Sequence, residues 1–375
     1  MSRNLASVQK VLEVLPINGA DKIELIKVLG WQCIVRRGLY KQGDLGIYIE
    51  IDSIVPDLPI FEFMKERKFR VKTIKLRGEI SQGLFMSFDE IKIKPCKEGT
   101  DLTGILKIKK YEPDENNVVY QGKQNKSFWW KLVYTLPFLK MFRKKCGPGA
   151  SFPTHLVPKT DETRLQAFGE HFLEIYKDLP IAISQKMDGS SLTFVWNKGK
   201  FSAASRNVWY IEKKDNNFWK IVEMSNIDKA CKTVFGKRNV CLQGELCGPS
   251  IQDNKYKFDS LHYFLFGIFD SDKKVYFTPQ ELLNAYDSIF SAGAKIDIAP
   301  QLILPSDNKT IKDIGLTIND WLSYADSRSN YNLDTWNEGI VVRSLDNKPY
   351  AVKGMEGGRF SFKVVSNKFL LQYNL

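Results

Sequence analysis

From Ala6 to about Lys110 the chain is cut into short β-rich segments, VQKVLEVLPI, KIELIKVLGWQCIVR, LGIYIEIDSIV, FRVKTIKLRG and GLFMSF, separated by glycine, proline and Asn/Asp turns. Runs this short, rich in branched and aromatic residues, leave little scope for long helices. Closing the strands on one another removes unpaired edges, so the pattern suggests a small closed β-barrel.

Beyond Phe152 the texture changes. β-like runs (AISQKM, SLTFVW, FSAAS, VCLQGELCG, HYFLFGIF, EGIVVRS, SFKVVS) alternate with helical stretches such as TRLQAFGEHFLEIYKD and TPQELLNAYDSIFSA, which reads as α+β with antiparallel sheets. Residues 111–150 are mixed: a polar run EPDENN, the aromatic-basic stretch SFWWKLVYTLPFLKMF, then GPGASFP. A boundary is expected there, with a barrel over 1–110, a linker over 111–150 and a second domain over 151–375. The aromatic-basic stretch is too short and too broken to span a bilayer, and its expected role is packing between domains.

Lysine and arginine number 55 against 43 acids, a net charge of +12 with no long basic tail, so folded surfaces must carry the excess. A polyanion, first of all a nucleic acid, is the partner such a surface fits, and no membrane is expected. In VKTIKLRG, Thr73, Lys75 and Arg77 alternate with Ile74 and Leu76, placing two cations on one face of a strand whose other face is apolar. That suits an oligonucleotide-binding (OB) barrel with Lys75 and Arg77 on RNA, although a merely solvated face has the same pattern. Six cysteines without a C-x-x-C pair and only three histidines argue against zinc. The N-terminus lacks the apolar core and cleavage site of a secretory signal, so a reducing compartment, cytoplasmic or nuclear, is expected.

The stretch ISQKMDGSSLTF sets one lysine between apolar runs. Its simplest reading is strand, tight turn, strand, with Lys186 snorkelling from an edge and Asp188-Gly189 in the turn. K-x-D-G alone arises by chance in roughly one chain in ten of this length. Its meaning therefore depends on five stretches further along the chain: SRN at Ser205–Asn207, GELCG at Gly244–Gly248, FLFGIFD at Phe264–Asp270, EGIVVR at Glu338–Arg343 and FKVV at Phe362–Val365. In this order, with KMDG, they resemble the motifs of the covalent nucleotidyltransferases, the superfamily of ATP-dependent ligases and mRNA capping enzymes. PKTDETRLQ at Pro158–Gln166 and the SRN and GELCG forms resemble RNA ligases in particular. With ten residues after Val365, neither the C-terminal OB domain of DNA ligases and capping enzymes nor a helical C-terminal domain is expected. An N-terminal barrel ahead of a nucleotidyltransferase domain is similar to the nick-sealing ATP-dependent RNA ligases with an N-terminal OB module.

The resemblance implies a reaction and a set of roles. Lys186 would attack the α-phosphate of ATP to form lysyl-AMP; AMP would pass to an RNA 5′-phosphate, and a 3′-OH would then expel it. Lys363 would contact the α-phosphate, Phe266 would stack on adenine, Arg206 would bind the ribose or the RNA end, and Gln185 and Glu245 would complete the nucleotide contacts. Asp188, Glu245 and Glu338 would hold a hydrated Mg²⁺ or Mn²⁺. The physics agrees with these types: a lysine attacks only as the free amine, and phosphoryl transfer is chiefly positioning and charge neutralisation, with hard oxygen ligands for a hard ion. RNA ends or a nicked duplex are the implied partners, and a monomer is expected. The alternatives are a GTP-dependent mRNA capping guanylyltransferase and a non-catalytic OB-type RNA-binding protein with a decayed ligase fold; intact Lys186, Glu245, Glu338 and Lys363 argue against decay. One departure stands out, because the second lysine many of these proteins carry two positions after Lys363 is Val365 here, with Lys368 and Lys353 as nearby replacements. Since every motif lies beyond Phe152, removal of the barrel is expected to spare the first step.

Overall fold

A computed structural model describes residues 4–111, 150–213, 215–352, 354–355 and 359–375. The expected linker with its aromatic-basic stretch therefore lies, but for its ends, outside the described residues, as does Lys353. The chain forms two compact units that are not continuous in sequence: residues 4–111 with Asp161–Met187 and Pro300–Leu375, and residues 150–160 with Asp188–Ala299. The architecture is the expected α+β, an N-terminal barrel with antiparallel sheets beyond it.

In the first unit the barrel is built from short antiparallel strands. Leu45–Ile49 lies between Ala6–Lys10 and Leu84–Met86, Ile23–Val28 lies between Glu13–Pro16 and Trp31–Arg36, and Thr73–Leu76 pairs with Glu79–Gln82. Strand alternation sends Trp31, Cys33 and Val35 inward to a core shared with Ile26, Ile47, Tyr48 and Phe61. Lys75 is exposed on Thr73–Leu76, but Arg77 is not on that strand: with Gly78 it forms the two-residue hairpin turn, at φ 50° and 89°. The tight turn wins over further alternation because two consecutive left-handed residues match the twist of the flanking strands.

The same unit holds a five-stranded sheet in the order Thr163–Arg164, Ser361–Val365, Gly339–Ser344, Ile181–Lys186, Gln301–Ile303, parallel at its first pair and antiparallel elsewhere. One face is apolar at every second residue. Ile181, Ile183, Ile340, Val342, Phe362 and Val364 pack on Phe172 and Leu173 of the helix Glu170–Ile175 and on Trp321 of the helix Ile318–Ala325. The barrel docks closely here, because the Gly30 amide donates to the Gln166 carbonyl at 2.9 Å. A Cβ at Gly30 would stand 2.8 Å from the Gln166 Cα and 2.0 Å from the Ile318 side chain, so the contact requires glycine. Gln82 donates to Asn367 at 3.1 Å, and the Thr73 amide donates to the Leu375 carbonyl at 3.1 Å.

The second unit is an eight-stranded sheet centred on Ser190–Asn197, Val240–Cys247 and His262–Asp270. Leu192, Phe194, Leu242, Tyr263 and Leu265 on one face pack against the helices Asn217–Ser225, Ile227–Phe235 and Pro279–Ser291. The last of these starts on a capping box between Thr278 and Glu281. Ile181–Lys186 and Ser190–Asn197 belong to different sheets and do not pair, so KMDG is a crossover from one unit to the other and not a hairpin turn. Among the described residues no helix is long and apolar enough to cross a membrane.

Candidate active site

On the five-stranded sheet, cross-strand register fixes which residues share the face away from the core. Ser184, Val341 and Lys363 lie opposite one another in three adjacent strands, and so do Lys186, Gly339 and Val365. Lys186 and Lys363 therefore stand on one face. Lys186 ends its strand about a quarter exposed, and its Nζ donates to Glu338 at 2.5 Å. Glu338 immediately precedes Gly339, whose φ is +145°; a Cβ there would lie 2.1 Å from the Val364 carbonyl oxygen, so only glycine lets the strand begin at this point. The Ser366 amide bonds the Glu338 carbonyl at 2.9 Å and holds the other side.

Beside Lys363 stands a group of ion pairs that sequence reasoning missed. Asp161 accepts from Lys363 at 3.4 Å and from Lys110, the last residue of the barrel strand Lys109–Lys110. Glu162 binds Arg359 at 3.1 Å and Arg343 at 3.4 Å. Burial opposes its charge, but Arg343, Arg359, its own backbone N–H and Lys363 outweigh that and hold its carboxyl at about 2. Arg164, the cross-strand neighbour of Lys363, donates to Asp52 of the barrel at 2.8 Å. The signal was present in PKTDETRLQ, which contains Asp161, Glu162 and Arg164, but their partners lie far away along the chain.

Gln185 alternates to the opposite face from Lys186. Its buried amide donates to Asn337 at 2.6 Å, so its side chain and the Lys186 amine are not brought together. Lys368 sits on the helix Asn367–Tyr373 with its Nζ 4.4 Å from the Trp336 ring centre and 3.8 Å from Asp326.

The second unit presents its own constellation. Ser191, Glu245 and Phe264 are direct cross-strand neighbours on one face. Between the pairs Gln243–Gly267 and Gly244–Leu265 the register slips, leaving Phe266 as the extra residue of a β-bulge, half-buried. Bulges re-aim side chains, and this one sits at the residue expected to stack on adenine. Gly189 explains why KMDG needs its glycine: a Cβ would meet the Leu246 carbonyl at 2.4 Å and the Glu245 side chain at 2.9 Å. Asp188 thus enters the unit against the strand that carries Glu245. Its carboxylate accepts from Lys255 at 2.5 Å, and its amide donates to the Tyr256 hydroxyl at 2.9 Å. Neither Lys255 nor Tyr256 was apparent from sequence. Arg206 occupies a tight turn in which the Ser205 hydroxyl accepts from the Val208 amide at 3.1 Å and from the Asn207 amide at 3.4 Å. Cys247 is buried, with its thiol 3.6 Å from the Asp188 carbonyl.

Among the described residues no three His, Cys, Asp or Glu side chains form a group that could hold a metal ion. Asp188 and Glu338 are each held by a lysine instead.

Residues 5–88 match the model of an OB-fold domain, and residues 179–365 match the model of the RNA ligase family. No curated protein matches the chain. Among solved structures it resembles Naegleria gruberi RNA ligase at 30% identity. A lysine-to-methionine variant with AMP and Mn covers 98% of each chain at a TM-score of 0.77. A lysine-to-alanine variant with ATP and Mn does the same, with a TM-score of 0.77. The form with PPi covers 100% of this chain and 99% of the other, with a TM-score of 0.78.

Proposed function

The chain belongs to the RNA ligase family, and from that premise we propose that it joins RNA 3′-OH and 5′-phosphate ends, at nicks in a duplex, through lysyl-AMP and RNA-adenylate intermediates. The observation that carries this reading is Lys186, placed at a strand end with its Nζ 2.5 Å from Glu338 and on the same sheet face as Lys363. ATP and AMP are the nucleotides that the related ligase was solved with.

In the first step the free amine of Lys186 attacks the α-phosphorus, the P–O bond to pyrophosphate breaks, and AMP remains on Nζ. Glu338, at hydrogen-bond distance, orients the Lys186 side chain, and the amine attacks once its proton has passed to water. Lys363 faces the charge that develops on the phosphorus oxygens. Phe266 stacks on adenine, Glu245 and Arg206 bind the nucleoside or the RNA end, and Gln185 supports the floor of the site through Asn337. In the second step the RNA 5′-phosphate displaces Lys186; in the third, the 3′-OH displaces AMP. A hydrated Mg²⁺ or Mn²⁺ would be held by the carboxylates of Asp188, Glu245 and Glu338, hard oxygen donors for a hard ion, once Lys255 and Lys186 release the first and last of them. That ion supplies charge neutralisation on the phosphates. Lys75 and Arg77, exposed on the barrel hairpin, bind the RNA backbone. On this reading residues 1–110, 111–150 and 151–375 serve as barrel, linker and catalytic domain of a monomer acting in a reducing compartment, although the compact units break at Thr160, Met187 and Ala299.

Incubation with ATP or GTP labelled at the α-phosphate, followed by denaturing electrophoresis, tests the reading. A labelled AMP adduct is expected on the wild-type chain and none on Lys186→Ala, whereas that variant still seals pre-adenylylated RNA slowly. A GMP adduct, or an undiminished AMP adduct on the variant, refutes it.

A further inference from the structure

The strand Ser361–Val365 offers a phosphate chain only one cation. Lys363 is on the outward face, but Val365, the residue two further along that face and across Gly339 from Lys186, is apolar and 2% exposed. Another element brings a cation next to Lys363. Lys110 comes from the barrel strand Lys109–Lys110, which pairs with Ser53–Ile54, and its ammonium bonds the Asp161 carboxylate that also binds Lys363.

We propose that Lys110 supplies the second cation that binds the phosphate chain of ATP, held beside Lys363 by their shared carboxylate, Asp161. This deepens the reading of Lys186 as nucleophile and rests on it. Two positive groups on one carboxylate suit a polyanion, because charge-assisted hydrogen bonds to phosphate oxygens are strong and a rigid clamp reduces the cost of orienting them. The group is reachable: the side chains of Lys110 and Asp161 are 27% exposed and that of Lys363 is 14% exposed. The neighbouring Arg164 points the same way. It is 5% exposed, and its Nε and Nη1 have no hydrogen-bond partner among the described residues, so this stretch holds donor capacity that its carboxylates do not use.

A staple between barrel and sheet is the competing explanation. That work is already done by Arg164–Asp52, Gly30–Gln166, Gln82–Asn367 and Thr73–Leu375, none of which uses an active-site lysine's carboxylate.

The test compares wild type with Lys110→Met, which keeps the stem and removes the charge, and Lys110→Arg, which restores a charge. Three quantities are read on each: the ATP dependence of AMP-adduct formation, the affinity for an ATP analogue with a methylene at the α–β bridge by titration calorimetry, and the melting midpoint. Lys110→Met should weaken analogue binding and raise the KM for ATP by about tenfold or more, with Lys110→Arg recovering most of the loss and the midpoints close to wild type. Unchanged analogue affinity in Lys110→Met overturns the proposal. Equal losses in both variants with lowered midpoints also overturn it, in favour of a staple. If the wild type forms no AMP adduct, the nucleotidyl-transfer reading fails on its own, and the analogue titration still decides whether Lys110 binds phosphate.

Discussion

Glu162 shows how a single buried carboxylate can organise the cations around Lys363. Its carboxylate gathers Arg343 and Arg359 on the sheet face that bears Lys363, and their charge overcomes the cost of burial. The folded-state value falls from 4.5 to about 2, so the ionised group contributes stability that is fully present above about pH 5 and is lost as pH falls through about 2. A shift of that size corresponds to about 3 kcal/mol at neutral pH. Glu162→Gln should therefore lower unfolding free energy at pH 7 by roughly 1–3 kcal/mol, because it leaves two arginines facing a neutral amide. The difference from wild type should shrink as pH is lowered from about 4.5 towards 2, and urea titrations at several pH values check it. Lys186, Glu338 and Lys363 were legible as residues from KMDG, EGIVVR and FKVV. What could not be read was which group each one faces, such as Lys255 on Asp188 or Lys110 beside Lys363, because an ion pair depends on distance in space.

Among the elements, three short irregularities position the chemistry: the crossover at Asp188-Gly189, the bulge at Phe266 and the strand start at Gly339. Each places a side chain where regular pairing would not. Gly339→Ala is the sharpest test, since its Cβ would collide with the Val364 carbonyl at 2.1 Å in a backbone conformation that favours glycine. The strand must shift, moving Glu338 away from Lys186. A stability loss of about 2 kcal/mol or more is expected, together with a fall in AMP-adduct formation much larger than any fall in the folded fraction. Adduct assays and thermal melts on one preparation measure both. The strands themselves were visible as period-two runs, and their antiparallel arrangement followed from that texture. The crossover was not visible: Asp-Gly between two apolar runs is the usual signature of a hairpin, and only the separate packing of the two sheets overrides it.

For the whole molecule, the barrel's place decides how separable binding and chemistry are. With every motif beyond Phe152, the barrel reads as a detachable RNA-binding module. The structure instead puts it in one compact unit with the strands that bear Lys186 and Lys363, with its Asp52 on Arg164 and its Lys110 on Asp161. Deleting residues 1–110 should therefore damage AMP-adduct formation as well as sealing. It strips a partner from a guanidinium that is 5% exposed, a change that costs about 3–5 kcal/mol when a buried pair is broken. Adduct formation, nick sealing and circular dichroism on the truncated chain check this, and wild-type adenylylation would restore the detachable module. The sequence alone determined the local and ordered features: a strand-rich N-terminal barrel, an α+β remainder, the succession of motifs, and the glycines beside Asp188 and Glu338. Those follow from side-chain period and turn chemistry, which are properties of neighbours along the chain. Tertiary structure decided which distant segments share a unit, and so which carboxylate serves which lysine. Such contacts arise where packing closes long stretches of chain into one core, and residue spacing does not encode that closure.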